Sequence, residues 1–238
     1  MKLSLCGLVL GAMLALAGCQ QSARVDRNPA SLVVFGDSIT RGYGAPPGLG
    51  WVELLSGHLQ HPDRKRKIPV FNAGGNGNTS AEGRRRLAAD VLVHLPGLVL
   101  VQFGGNDPVA GARNVTVDDF ERNLTAIHRE VIRSGGTMVL LTFPPVVDHW
   151  HSSRANTYFL ERGGLDHMLE AYRQRTRELA RQLNLPLFDL DHLLRRLSET
   201  KGFETYVDRD GIHLTPEGNR VVAEALLGFL EQESLIFL

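Results

Sequence analysis

Several things are scarce in this sequence, and each scarcity removes a class of protein. Net charge is absent: 26 Lys and Arg residues balance 26 Asp and Glu residues, so no global field draws nucleic acid or another polyanion. No apolar run reaches the roughly 20 residues that cross a bilayer as a helix; the N-terminal run, 3–18, falls short. No internal repeat or low-complexity tract stands out. The Gly-Lys-Ser/Thr signature of a phosphate loop is missing. The dinucleotide fingerprint also fails, because Gly75-Asn76-Gly77 is followed by Ser80 where the third glycine would fall, and the stretch follows the second predicted strand rather than the first. Cysteine is nearly absent, with only Cys6 and Cys19. What remains is ordinary globular composition, 43% apolar and 22% charged over 238 residues, enough for one well-packed domain.

The two cysteines lie in a segment with the layout of an export signal. Lys2 supplies a positive charge, the stretch from Leu3 to Ala17 is almost wholly apolar, and Leu16-Ala17-Gly18-Cys19 leads small residues into a cysteine. This resembles the bacterial lipobox. The resemblance implies cleavage after residue 18, a lipid on Cys19, and membrane attachment through that residue. Gln20, in place of Asp after the cysteine, resembles proteins sent to the outer membrane, so the expected location is that membrane, facing the periplasm. Cleavage removes Lys2, the only charge in 1–18, and leaves 25 basic against 26 acidic residues, a formal charge of −1. It also removes Cys6. With Cys19 acylated, no internal disulfide can form and no thiol remains to act as a nucleophile. Residues 20–30 are polar, lack a helical or strand period and contain Asn28-Pro29, so 19–30 reads as lipidated N-terminus and tether. The folded domain is expected over 31–238.

Within that domain apolar runs alternate with segments of helical period. Strands are predicted at about 31–35, 68–72, 97–103, 137–142 and 186–188. Continuous runs such as Leu98-Val99-Leu100-Val101 and Met138-Val139-Leu140-Leu141 suit parallel strands buried on both faces. The expected fold class is therefore α/β, a three-layer α/β/α domain. Leu165, Met168, Leu169, Tyr172, Thr176, Leu179 and Leu183 form one buried helical stripe, read as core. The last helix is expected to open with Thr215 as N-cap and Pro216 at its first position, then bury Val221, Val222, Leu226 and Phe229. The basic run 63–67 reads as a solvated loop ahead of a strand, with a membrane-surface contact as the minor alternative.

In an open parallel sheet ligands gather beyond the carboxyl ends of the strands. Four such places carry polar, glycine-rich sequences. Gly36-Asp37-Ser38 follows the first strand and puts Ser38 at a helix N-terminus, where the dipole favours developing negative charge. Asn72-Ala73-Gly74-Gly75-Asn76-Gly77-Asn78-Thr79 follows the second, Gly104-Gly105-Asn106-Asp107 the third, and Asp210-Gly211-Ile212-His213 lies near the C-terminus. Taken singly, Ser38 reads as a helix cap, the glycines as turns and Asn106 as a loop brace.

Together and in this order the four segments resemble the SGNH (GDSL) hydrolase family over about residues 31–230. The stretch from Gly36 to Gly44 with Pro46-Pro47 and Trp51 looks like its bacterial arylesterase, thioesterase and lysophospholipase branch. The resemblance implies a flavodoxin-like five-stranded parallel sheet. It also implies a serine esterase in which Ser38 is the nucleophile, His213 its general base and Asp210 the group orienting the imidazole. The implied oxyanion hole comprises the backbone N–H groups of Ser38 and Gly77 and the side-chain amide of Asn106. The chemistry fits those roles, since a serine hydroxyl needs an imidazole to take its proton and the imidazole needs a partner fixing its tautomer. Asp208 is a competing acid that the family spacing sets aside. Asp37 and Asp107 read as local acceptors stiffening their turns, Gly74 as a turn residue, and Asn78 stands where many relatives carry Asp.

No cofactor is expected. His149 and His151 invite a metal reading, but no convincing third ligand accompanies them, and no metal is expected. The segment from Asp148 to Tyr158 is expected to shape the acyl or alcohol pocket, Tyr43 to line it, and Trp51 to be buried. Candidate partners are a small-molecule or lipid ester and, through Cys19, a membrane; the sequence leaves oligomeric state open. Short acyl or aryl esters, lysophospholipids, thioesters and O-acetyl groups on envelope polysaccharide all remain as substrates. A non-catalytic glycan- or lipid-binding envelope module is the alternative outside catalysis.

Overall fold

Strands form where the apolar runs allow burial on both faces. The structure, a computed structural model, describes residues 29–108 and 112–237. The expected signal segment, Cys19 and the tether up to residue 28 lie outside the described residues. Five strands, β1 (Leu32–Gly36), β2 (Val70–Gly74), β3 (Leu98–Gln102), β4 (Thr137–Leu141) and β5 (Leu187–Phe188), make one parallel sheet. Their order is β2-β1-β3-β4-β5, the flavodoxin-like arrangement. Among the described residues, eight α-helices accompany them: α1 (Ser38–Arg41), α2 (Trp51–Leu59), α3 (Ser80–Asp90), α4 (Val117–Arg133), α5 (Thr157–Leu160), α6 (Leu165–Gln182), α7 (Leu190–Lys201) and α8 (Pro216–Gln232).

Alternate strand residues feed two cores. Leu32, Val34, Leu98, Leu100, Val139 and Leu141 pack with α2, α7 and α8, while Val33, Phe35, Val99, Val101, Met138 and Leu140 pack with α3, α4 and α6. The three-layer expectation holds. The predicted second strand begins two residues late, for a physical reason. Ile68 donates its N–H to Leu59 O at 3.2 Å, at the end of α2, and Pro69 has no N–H, although its carbonyl accepts from Leu32 at 2.9 Å. Ile68 is therefore core without being strand.

The stripe on α6 is buried at Leu165, Leu169, Tyr172, Thr176 and Leu179 and half-buried at Met168 and Leu183. One member escaped the periodicity: Arg173 is also fully buried. Its guanidinium donates to Phe143 O (3.1 Å), Pro144 O (2.8 Å) and Asp166 Oδ1 (2.6 Å), so a buried cation ties down the chain leaving β4. Thr215 caps α8 by accepting from Gly218 N–H at 3.0 Å. Val222 and Leu226 are buried, whereas Val221 and Phe229 are only partly so. Residues 63–67 form a mainly exposed loop, as expected.

Candidate active site

All four glycine-rich segments converge at the carboxyl edge of the sheet. β1 ends at Gly36, and Asp37 caps α1 by accepting from Ile39 N–H at 3.0 Å, so Ser38 is the first residue of the helix rather than its cap. On the far side of the cleft, Val207 and Leu214 form an antiparallel bridge, and Asp208 N–H donates to His213 O at 2.7 Å. This small hairpin presents His213. Its Nε2 lies 2.9 Å from Ser38 Oγ, and its Nδ1 lies 2.5 Å from Asp210 Oδ2. Asp210 Oδ1 accepts the backbone N–H groups of Ile212 and His213, each at 2.9 Å. Partial burial raises the Asp210 carboxyl, but the His213 ring bond and these two backbone bonds outweigh it and hold the group below the ordinary aspartate range. Asp210 is thus an anion at neutral pH. Asp208 contributes only its backbone to the hairpin.

The loop after β2 is pinned from three sides. Gly77 has φ 68, which glycine adopts without steric cost. Its carbonyl accepts from Arg113 Nη2 at 2.6 Å, and the Asn78 carbonyl accepts from Asn106 Nδ2 at 3.1 Å. Arg86 reaches Asn78 Oδ1, Ala73 O and Gly36 O, each at 2.7 Å, and joins the loop to the end of β1. Among the described residues, the backbone N–H groups of Ser38 and Gly77 meet no protein acceptor. Ser38, Gly77 and Asn106 all line the cleft. Gly74 is the last residue of β2, not a turn residue; a Cβ there would fall 2.3 Å from Arg41 N. The backbone of α1 therefore approaches Gly74 too closely for any side chain.

Asp37 and Asp107 hold this floor together. Asp107 accepts from Ser80 N–H (3.1 Å) and Oγ (2.5 Å), a contact across 27 residues that makes it more than a local turn acceptor. Asp37 also accepts from Gln102 Nε2 at 3.3 Å, and Gln102 Oε1 accepts from Thr40 at 3.0 Å. Burial lifts the Asp37 carboxyl from 3.8 to about 7 and Asp107 to about 6, against these hydrogen bonds. A carboxyl raised in the folded state favours folding while protonated. Its contribution is complete below about pH 4 and declines until the folded value is passed. Asp37 should therefore cost the fold on the order of 2–4 kcal/mol between pH 4 and pH 7. Urea unfolding at pH 5 and pH 8 checks this: wild-type stability should fall more than that of Asp37→Asn, and parallel behaviour contradicts it.

The cleft has a volume of about 520 Å³. Beside Ser38, Gly77, Asn106, Asp210 and His213 it is lined by Tyr43, Asn76 and the 150–154 segment, including Trp150, His151 and Arg154. The Tyr43 ring stands 4.6 Å from the His213 ring. Trp51 is fully buried, its indole N–H donating to Ile39 O at 2.8 Å. The 147–151 stretch docks on the His213 hairpin through Val147 N–H to Gly211 O at 2.8 Å. His151 contacts Ser153 Oγ at 2.6 Å, and partial burial lowers its basicity. Among the described residues no third donor joins His149 and His151 in a ligand set. A cluster with suitable spacing among the described residues, Asp189, Asp191 and His192, lies by another depression, and its carboxylates are engaged by Arg177 and Arg195. Beyond Arg154 an apolar recess of about 360 Å³ is lined by Phe159, Leu160 and Leu165.

Sequence reasoning brought together Ser38, Gly77, Asn106, Asp210 and His213, and the structure assembles all five. It missed Arg86, Arg113 and Gln102, which hold the loops. Arg86 and Arg113 act on backbone carbonyls and Gln102 on the Asp37 carboxylate and the Thr40 hydroxyl, all away from them in sequence, and no spacing signals that.

The family model for GDSL-like Lipase/Acylhydrolase matches residues 34–221. The lipoprotein YqeF of Bacillus subtilis is 27% identical over 231 residues, covering 88% of this chain and 91% of that one. Esterase TesA of Pseudomonas aeruginosa is 34% identical over 130 residues, 54% of this chain and 62% of its own length. The crystal structure of a lipase/acylhydrolase from Enterococcus faecalis superposes with a TM-score of 0.69 at 26% identity, covering 85% of this chain and 96% of that one. The chain belongs to the GDSL-like lipase/acylhydrolase family and is an ester-hydrolysing enzyme.

Proposed function

We propose that the protein is a serine esterase working through an acyl-enzyme on Ser38. The observation that carries this is the continuous relay from Asp210 through His213 to Ser38 Oγ at the helix N-terminus. Ser38 Oγ attacks the ester carbonyl carbon as His213 Nε2 takes its proton. Asp210 holds the ring with Nδ1 protonated and stabilises the imidazolium. The negative charge on the former carbonyl oxygen is met by the N–H groups of Ser38 and Gly77 and by Asn106 Nδ2. Collapse expels the alcohol, which receives the proton from His213. Water, activated by the same imidazole, then releases the acid and restores Ser38.

The polar, aromatic-edged wall of Tyr43, Asn76, Trp150 and Arg154 favours a small acyl group on a polar or aryl alcohol. An O-acetyl group on envelope polysaccharide is the second reading, supported by the same wall, where rings and hydrogen-bonding groups alternate. The apolar recess beyond Arg154 defines the contrasting case. A p-nitrophenyl ester series from acetate to decanoate tests the choice: kcat/KM should be highest at acetate or butyrate and fall about tenfold or more by decanoate. An optimum at the long end would assign the recess to an acyl chain and the enzyme to lysophospholipid-type esters.

The location proposed with this activity is the bacterial outer membrane, facing the periplasm, with the mature chain held by a lipid on Cys19. The lipobox-like Leu16-Ala17-Gly18-Cys19 and the lipoprotein relative support the lipid anchor, and Gln20 after the cysteine supports the choice of membrane.

A further inference from the structure

The edge of the sheet opposite the cleft carries a different surface. Parallel strands all start at one edge, and the register aligns Leu32 with Val70 and Leu98, and Leu98 with Thr137. The segments leading into these residues therefore lie side by side. Into β1 leads the chain's own entry: a Cβ at Gly97 would lie 2.8 Å from Pro29 Cα. Into β2 leads the basic run Arg64-Lys65-Arg66-Lys67. Into β3 leads the 92–97 loop, held to the entry by Ser31 Oγ to His94 O (3.2 Å) and Gly97 N–H to Ser31 O (3.1 Å).

On that loop Val93 is 64% exposed and Leu95 76%, the highest values for large apolar side chains among the described residues. Ile132, 50% exposed, stands at the end of α4 before β4. Leu95 has φ 47, a left-handed conformation that a leucine adopts only at a cost, and the residue so held is apolar and turned to solvent. Among the described residues, nearby Asp63 faces His61, while Asp90 and Glu130 are paired with Arg86 and Arg133.

We infer that this edge is a membrane-docking face, in which Val93, Leu95 and Ile132 enter the headgroup region and the 64–67 run meets anionic phosphatidylglycerol. The inference rests on the lipid anchor proposed above. Residues 19–28 span at most about 35 Å when fully extended, and they join the fold at this edge. Five-residue strands separate it from the cleft edge by about 17 Å. Docking therefore turns the cleft away from the anchoring membrane, and ester substrates arrive from the aqueous compartment.

Processing leaves no thiol besides the acylated Cys19, so one introduced cysteine can carry a nitroxide. Lipidated full-length protein bearing Val93→Cys, Leu95→Cys or, as a cleft-edge reference, Leu49→Cys is reconstituted in vesicles of phosphatidylethanolamine and phosphatidylglycerol. Collision with oxygen relative to a water-soluble nickel chelate should be at least about fivefold greater at 93 and 95 than at 49. Lys65→Glu with Lys67→Glu should reduce that contrast. Equal ratios at 95 and 49 in vesicle-bound protein overturn docking and leave the anchor standing. Protein outside the vesicle fraction overturns the anchor, and docking with it. Spin–spin broadening between labels at 95 identifies a second copy as the occupant and also overturns the inference.

Discussion

Alanine at Ser38 or at His213 should each lower kcat for p-nitrophenyl butyrate by about 10⁴- to 10⁶-fold, and the double variant should be scarcely worse. Non-additivity is the informative part. Ser38 Oγ and His213 Nε2 share one proton across 2.9 Å, so removing either partner disables the same step. Residual hydrolysis should persist in each variant from binding and oxyanion stabilisation. Steady-state kinetics on the two single variants and the double variant measure this directly. Single losses of only a few-fold, or losses that multiply, place the nucleophile and base elsewhere.

Asn106→Ala should lower kcat by about 10²- to 10³-fold, corresponding to about 2.7–4 kcal/mol of lost transition-state stabilisation. Two roles must be separated here, because Asn106 Nδ2 also donates to Asn78 O at 3.1 Å and so braces the Gly77 loop. An oxyanion donor acts only when charge develops, so its loss falls on kcat and leaves KM and thermal stability near wild type. A brace acts in every state. Its loss would displace Gly77 and show as a raised KM and a lower Tm. Kinetics and thermal melts on the same preparation distinguish them, with the kcat-dominated result expected.

Much of the fold was legible because its central strands β1, β3 and β4 are buried on both faces and read as apolar runs. Leu98-Val99-Leu100-Val101 and Met138-Val139-Leu140-Leu141 became β3 and β4 almost to the residue. The second strand was misplaced at its start because Ile68 is as buried as a strand residue, yet its backbone bonds to α2. Apolar pattern reports burial and not which backbone partner is used. The candidate-site groups were legible for another reason: four short polar segments each follow or close a secondary element, and together they resemble a known family.

The support beneath that site was not legible. Arg173 lies against the buried stripe of α6, where periodicity gives no place to a charged residue, and it is there because two backbone carbonyls and Asp166 satisfy it. Arg86 and Arg113 likewise read as surface charge on any local window. Their value comes from carbonyl oxygens at Gly36, Ala73 and Gly77 that only the folded chain brings within reach. Asp107 showed the same limit, since its partner Ser80 is 27 residues away.

Reaction of the purified protein with a fluorophosphonate, read by intact mass and peptide mapping, tests Ser38 as nucleophile most directly. One adduct per chain on the peptide containing Ser38, absent from Ser38→Ala and slowed in His213→Ala, is the expected result. An adduct on a different serine, or labelling of Ser38→Ala at the wild-type rate, would contradict it.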